Sequence, residues 1–259
     1  MLQNEGCEDA LERTSFAEKE QLIAMIEKTI ADPASETLNL SKTLLIFDLY
    51  QEIPQLLDPH LAELIDPILA HLTAKIEVFP EQSDHWKNVL CNESYPLFVI
   101  LYRIAKTRGP KTIVNFFTHN VTLLEPAIDF LQFVMTFAEK WETRYIMLLW
   151  CSLIVMTPFD LTSIETTPGL FKRILELAKY FSALVGAEYQ TASVLLMRLM
   201  TRKDSYPLLI EFVNNCFDAL QDTPLFEVIF HVTKDERVFD ISFCDLQNRT
   251  ARCFKGNCW

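Results

Sequence analysis

The chain has 259 residues, 50% of them hydrophobic and 22% charged, a composition that buries a core and excludes a disordered polypeptide. A formal charge of -12 excludes a general affinity for DNA, RNA or anionic lipid, which would repel it, and leaves room only for a local basic face. Five glycines are few for the turns of a sheet protein. Seven cysteines without C-x-x-C spacing, behind an N-terminus with no charged-then-apolar leader, point to a reduced, cytoplasmic setting.

Residues 1–14 are polar and acidic and are expected to be disordered. Residues 15–233 are expected to form helical repeats, and residues 234–259 an irregular tail. Ser15 followed by Glu18 is a capping box, predicting a helix from Phe16 that turns Leu22, Ile23, Ile26 and Ile30 inward and ends at Pro33. A second run over 41–52 presents Leu44, Leu45, Phe47 and Tyr50 and closes at Pro54. Asp58-Pro59 is an N-cap with a first-turn proline. Behind it Leu61, Leu64, Ile65, Ile68, Leu69, Leu72 and Ile76 recur at three and four, the cleanest amphipathic pattern in the chain. Pro67 interrupts that pattern and predicts a kink there or a break after Ile65.

From Ser94 to Lys106, Leu97, Ile100, Leu101 and Ile104 face a core, and Arg108-Gly109-Pro110 supplies a basic last turn, a left-handed cap and a stop. A short run, Lys111 to Phe117, leads to Thr118-His119-Asn120, and a helix over 123–137 admits Pro126 in its first turn. After Arg144 no charge appears until Asp160. That stretch is apolar all round at helical pitch, which predicts a central helix buried on every side, with Trp141, Tyr145, Leu149, Trp150, Leu153 and Pro158 in the core. Pro158 displaces Thr157 from helical geometry, so the helix should stop near Met156. The uncharged run from Tyr145 to Phe159 falls short of the roughly 20 apolar residues that cross a bilayer, so no membrane span is expected.

Thr167-Pro168 restarts a helix through Leu170, Ile174, Leu177, Phe181 and Leu184, closed by Gly186. Ala192, Leu195, Leu196 and Leu199 mark the next, Leu208 to Leu220 another, and Asp222-Thr223-Pro224 a short one through Ile229. Helices of this length joined by short turns, with no hairpin signal, predict an all-α protein. Alternate helices start near 41, 84, 122, 168 and 205, close to the roughly 40–47-residue period of HEAT and armadillo repeats. The expected architecture is a right-handed superhelical stack of antiparallel helix pairs rather than a globular bundle. Such a stack offers long faces to other macromolecules and no deep catalytic pocket.

The usual catalytic fingerprints are absent: no P-loop, G-x-G-x-x-G, G-x-S-x-G or H-E-x-x-H. His60 and His71 lie three turns apart on one helix, too far to share one metal unaided. Cys151 sits in the most apolar helix and reads as a packed thiol, and Cys244, Cys253 and Cys258 lack zinc spacing. No metal or organic cofactor is expected. Sequons at Asn39, Asn92, Asn120 and Asn248 read as chance matches without a leader. Arg103, Lys106, Arg108, Lys111, Lys172, Arg173, Arg198, Arg202 and Lys203 gather near helix ends. There they either complement helix dipoles or form a basic ridge suited to an acidic protein surface.

Several ordered motifs resemble the tubulin-folding cofactor D family of HEAT-repeat proteins. They are Tyr50-Gln-Glu-Ile-Pro-Gln-Leu-Leu-Asp-Pro-His-Leu61, Arg108-Gly-Pro-Lys-Thr112, and Thr118-His-Asn-Val121 leading to Leu124-Glu-Pro126. Trp141-Glu-Thr-Arg-Tyr-Ile-Met-Leu-Leu-Trp-Cys-Ser152 with Pro158-Phe159-Asp160 follows, and Ala192 to Arg202 continues the order. The likeness covers about 44–220. It implies a cytoplasmic, microtubule-associated binding scaffold rather than an enzyme. Such a scaffold captures β-tubulin, meets α-tubulin carried by cofactor E, and with cofactors C and E promotes GTP hydrolysis on tubulin. It also implies an Arf-like small GTPase as partner. Arg144 suggests an arginine finger, but its place at the start of a buried helix, two residues after Glu142, favours an intramolecular ion pair. The likeness reaches only the N-terminal repeats of a longer family, and 238–259 resembles nothing in it. A stack cut there is expected to leave an apolar flank and to aggregate or need a partner. The alternative reading is a generic HEAT or armadillo adaptor in trafficking or nuclear transport.

Overall fold

The computed structural model describes residues 15–33, 37–205, 209, 210 and 212, and every regular element among them is helical. The long helices are α1 (Lys19–Ala31), α2 (Thr37–Leu49), α3 (Leu61–Val78) and α4 (Asp84–Arg108). They are followed by α5 (Leu124–Val134), α6 (Trp141–Ile154), α7 (Leu170–Ser182) and α8 (Ala187–Met200). Each helix packs on its sequence neighbour to form the pairs α1/α2, α3/α4, α5/α6 and α7/α8. Each also packs on the helix two places along. Two layers result, α1-α3-α5-α7 and α2-α4-α6-α8. An amphipathic helix must bury its stripe against another element, and stacked pairs do so repeat by repeat, as in HEAT and armadillo arrays.

The period is real but shifts layer along the chain. The second layer begins at residues 37, 84, 141 and 187, at intervals of 47, 57 and 46. The predicted series 41, 84, 122 and 168 follows that layer for two steps, then crosses to α5 and α7 of the first. The cause is α4. It starts at Asp84, as the series has it and ahead of the core-facing run expected from Ser94, runs 25 residues to Arg108, and is followed by a connection holding only short helical turns. His85, Trp86, Asn88 and Asn92 in its first turns are exposed, so the apolar periodicity there is too thin to read.

Helix α6 packs against α4, α5 and α8, and residues 143–152 and Ile154 are buried. Its stripe of Trp141, Tyr145, Leu149 and Leu153 lies nearest the surface. Trp141 and Leu153 are half-buried, Tyr145 and Leu149 are buried, and the edge of the Tyr102 ring of α4 covers Trp141 and Tyr145 at 4.6 and 5.0 Å. Pro158, expected in the core, is exposed because the helix has already ended at Ile154. Trp150, 1% exposed, donates its indole N–H to the carbonyl of Thr118 at 3.1 Å, so this buried ring has its polar atom satisfied.

Three local expectations are corrected. Helix α1 begins at Lys19 with no side-chain cap, because the Glu18 carboxylate accepts the Tyr50 hydroxyl instead of reaching back to Ser15. Helix α3 runs unbroken through Pro67. Pro67 and Glu63, whose carbonyl loses its partner, both face solvent, where water can take that bond. Gly186 is extended and opens α8 rather than closing α7, which ends at Ser182. Among the described residues Gly109 (φ 100°), which ends α4, and Gly169 (φ 98°), which opens α7, stand at left-handed φ; a side chain at either would strain the turn. No described helix is long and apolar enough to cross a membrane.

Of the helix expected over 208–220, only 209, 210 and 212 are described. Leu209 and Phe212 are buried, and Lys179 of α7 sits 5.1 Å over the Phe212 ring. The expected helix over 222–229, the acidic N-terminus, and the tail with Asn248, Cys244, Cys253 and Cys258 lie outside the described residues.

Candidate protein-binding edge

Connections between successive pairs gather along one edge of the stack, and polar side chains tie them to one another. Arg103 of α4 pairs with Asp48 of α2, and Arg108 grips Asp58 through Nε and Nη2, the latter at 2.7 Å. Arg202 donates to the carbonyls of Val155, Thr157 and Phe159 at 2.6, 2.9 and 2.7 Å and to both oxygens of Asp204 at 2.8 Å. It closes the C-terminus of α6, whose last turn holds no basic residue of its own. Arg198 donates to the Ser152 carbonyl at 3.0 Å and to its hydroxyl at 3.1 Å. In the first layer Arg173 of α7 pairs with Asp129 of α5, donates to Gln132 at 2.6 Å and stands 3.7 Å from Glu125. All five arginines of the predicted basic set are therefore held inside the molecule.

The lysines of that set behave differently. Lys106, Lys111, Lys172 and Lys203 are exposed, and the Lys172–Glu176 pair, at 3.8 Å between two solvated side chains, constrains neither. A long alkyl ammonium keeps its charge in water more readily than a planar guanidinium, which suits buried, forked pairing.

Arg144 is 6% exposed and pairs with Glu188 of α8, not with Glu142. Its Nε and Nη2 reach one carboxylate oxygen at 3.1 and 2.7 Å, and its other donors satisfy the carbonyls of Phe137 and Ala138. Glu142 instead accepts the Tyr95 hydroxyl at 3.1 Å.

The connection over 155–169 is pinned at several points. Buried Glu125 accepts the Thr166 N–H and hydroxyl at 2.8 and 2.6 Å and the Thr167 N–H at 3.1 Å. Burial pulls its carboxyl upward, and those bonds outweigh burial and hold it below the ordinary carboxylate value. Glu165 accepts the N–H groups of Gly169 and Leu170 at 3.0 and 2.9 Å, capping α7, and Asp204 accepts Leu161 N–H at 3.2 Å. This frame leaves Met156 50% and Phe159 60% exposed. Beside them lies a groove of about 440 Å³ lined by Val155, Met156, Pro158, Met197, Thr201 and Lys203, among others.

Other chemistry-bearing residues are structural here. Cys91 and Cys151 are buried free thiols; burial pushes Cys91 up and Cys151 up to about 12. His60 packs on Phe16, and the Asn92 and Asn120 side chains accept bonds from Lys140 and from Thr122. Sequence reasoning missed Glu125, Glu188 and Asp204. The signal for them was available as polar partners about one repeat apart: Arg144 and Glu188 are separated by 44 residues, as are Arg173 and Asp129.

Residues 47–220 match the family described as tubulin-specific chaperone D-like, ARM repeat. Over 164 residues the chain is 30% identical to tubulin-folding cofactor D of Schizosaccharomyces pombe, covering 63% of this chain and 13% of that protein. It is 22% identical over 305 aligned positions to tubulin-specific chaperone D of Dictyostelium discoideum, covering 80% of this chain and 20% of the relative. The chain thus spans a fifth or less of the length of these curated relatives. No solved structure matches it. A family match that takes in α3 to α8 and the connections that bind them shows that this chain belongs to the tubulin-specific chaperone D-like family of armadillo-repeat proteins.

Proposed function

We propose that the chain is a protein-binding segment of a tubulin-folding cofactor, which holds β-tubulin while the α/β heterodimer is assembled after chaperonin release. On this reading it works in the cytoplasm and at microtubules, alongside cofactors C and E, with an Arf-like small GTPase as a further partner. It promotes GTP hydrolysis by tubulin as a scaffold, the hydrolytic site belonging to tubulin. The observations that support this most are the family match over 47–220 and the likeness to relatives named tubulin-folding cofactor D and tubulin-specific chaperone D. Arg144 does not act as an arginine finger on this reading, because Glu188 and two carbonyls already hold its guanidinium.

The test is direct. The full chain, immobilised, is presented separately with purified β-tubulin and with a purified Arf-like GTPase in its GDP and GTP states. Retention of β-tubulin is expected, together with faster tubulin-bound GTP hydrolysis when cofactors C and E are added. Retention of neither protein overturns the reading, and binding confined to short linear peptides in their place would favour an adaptor of the armadillo type.

A further inference from the structure

The ends of the second-layer helices present an alternating series along the connecting edge. At the end of α2 stands Leu49, 44% exposed; at the end of α4 stand Lys106 and, just beyond, Lys111. At the end of α6 stand Met156 and Phe159, and past α8 stands Lys203. The order is apolar, basic, apolar, basic across four repeats. Continuity of the edge is secured by the bonds already described, from Asp48 and Asp58 to α4, from Thr118 to α6, and from residues 155–161 to Arg202 and Asp204.

Charge there runs against the rest of the molecule. The chain carries -12 overall, yet on this edge Asp48, Asp58, Glu125, Glu165 and Asp204 are each engaged by an arginine or by backbone N–H groups. Lys106, Lys111, Lys172 and Lys203 face water, against the exposed carboxylates Glu52, Asp160 and Glu176, the last 3.8 Å from Lys172, and the arginine-bound Asp58 and Asp204. The arginines pair with Asp48, Asp58, Glu125 and Asp204, and the lysines are the cations left facing water.

We propose that this edge is the docking surface for an extended, acidic segment of a partner protein carrying large apolar side chains, its carboxylates on the lysines and its apolar residues on Leu49 and on Met156 and Phe159. Helices in a layer lie about 8–10 Å apart, and an extended chain advances about 3.3 Å per residue. Acidic and apolar residues alternating at about every third position therefore meet successive repeats. The groove beside Met156 and Met197, whose lining also holds Asp160, Arg202 and Asp204, has room for one apolar side chain against its thioethers, which adapt to its shape. Tubulin need not be that partner.

Two fluorescent peptides test it with the full chain. Both carry leucine or phenylalanine alternating with a charged residue at every third position, with serine between; the charge is glutamate in one and lysine in the other. Anisotropy should show the glutamate peptide binding and the lysine peptide failing to bind, with affinity falling as salt rises. The combined variant K106E/K111E/K172E/K203E should lose at least about tenfold in affinity, since each exposed pair contributes little alone. The neutral version with glutamine at those four positions should lose less. M156S/F159S should weaken binding equally at low and high salt. Helicity and melting temperature should be unchanged, because none of these side chains ties repeats together. Equal affinity of the wild-type chain for the two peptides, or wild-type affinity in the four-lysine variants, overturns the proposal.

Discussion

At the scale of single residues, charge in this protein is mostly internal fastening. The Arg144–Glu188 pair is buried on both sides and joins α6 to α8, so removing one partner strands the other. Arg144→Ala should destabilise the chain by about 3–5 kcal/mol, the usual penalty for an uncompensated buried charge. Arg144→Leu combined with Glu188→Leu should cost clearly less than the sum of the single changes, and urea unfolding of the three variants measures the difference. Glu125 makes a pH prediction. Its carboxyl is held below its unfolded value, so its contribution is fully present above that value and is lost as pH falls through the lowered folded one. Asp204, which burial raises but Arg202 and the Leu161 N–H lower further, has the same sign. Wild type should therefore lose melting temperature below about pH 4, and the advantage of wild type over Glu125→Gln should shrink over the same interval. A gap that widens on acidification would contradict the assignment. Cys91 and Cys151, buried with their thiols pushed upward, should escape alkylation at neutral pH until the chain unfolds, as peptide mapping would show.

At the scale of the element, Pro67 is the informative position. An interior proline ordinarily costs about 3 kcal/mol, through a lost bond and a ring clash with the preceding turn. Helix α3 absorbs it because seven apolar residues from Leu61 to Ile76 are buried on the opposite face. Burial outweighs propensity. Pro67→Ala should then stabilise the chain by about 1–3 kcal/mol in thermal or urea melts, with no change in helix boundaries. A loss of stability would mean that the exposed proline ring contributes packing rather than being merely tolerated. The same balance explains α4, where weak amphipathicity over the first turns is carried by packing of the later ones against α2, α3 and α6.

At the scale of the molecule, polar ties link equivalent places in successive repeats. Lys19 meets Glu63 at 2.7 Å between α1 and α3, Arg103 meets Asp48 between α4 and α2, and Arg173 meets Asp129 between α7 and α5. Each repeat contacts only its neighbours, so stability is graded along the stack rather than uniform. Amide hydrogen exchange should be slowest in α6, which three helices enclose, and faster in α1 and α2, which among the described residues have neighbours on one side of the stack only. Uniform protection from α1 to α8 would indicate a single cooperative block.

How much of this was legible beforehand follows the range of each interaction. The all-helical class, the central apolar helix and the repeat period were readable in residues such as Leu61, Leu64, Ile68 and Trp150, because burial on a helix face obeys a period of a few residues and survives without knowledge of the partner. The edge was only half readable. Nine cations could be located by their place at helix ends, yet Arg202 and Lys203 look alike in sequence, and one is bound by five acceptors while the other faces water. The same limit hid Glu188 behind Glu142 as the partner of Arg144, and Tyr50 behind Ser15 as the partner of Glu18. The chain's own order of residues determined which helices form and how often they recur, since those depend on local spacing. Only the tertiary stack decided which charges cancel and which remain free, since that depends on what lies one repeat away in sequence and a few ångströms away in space.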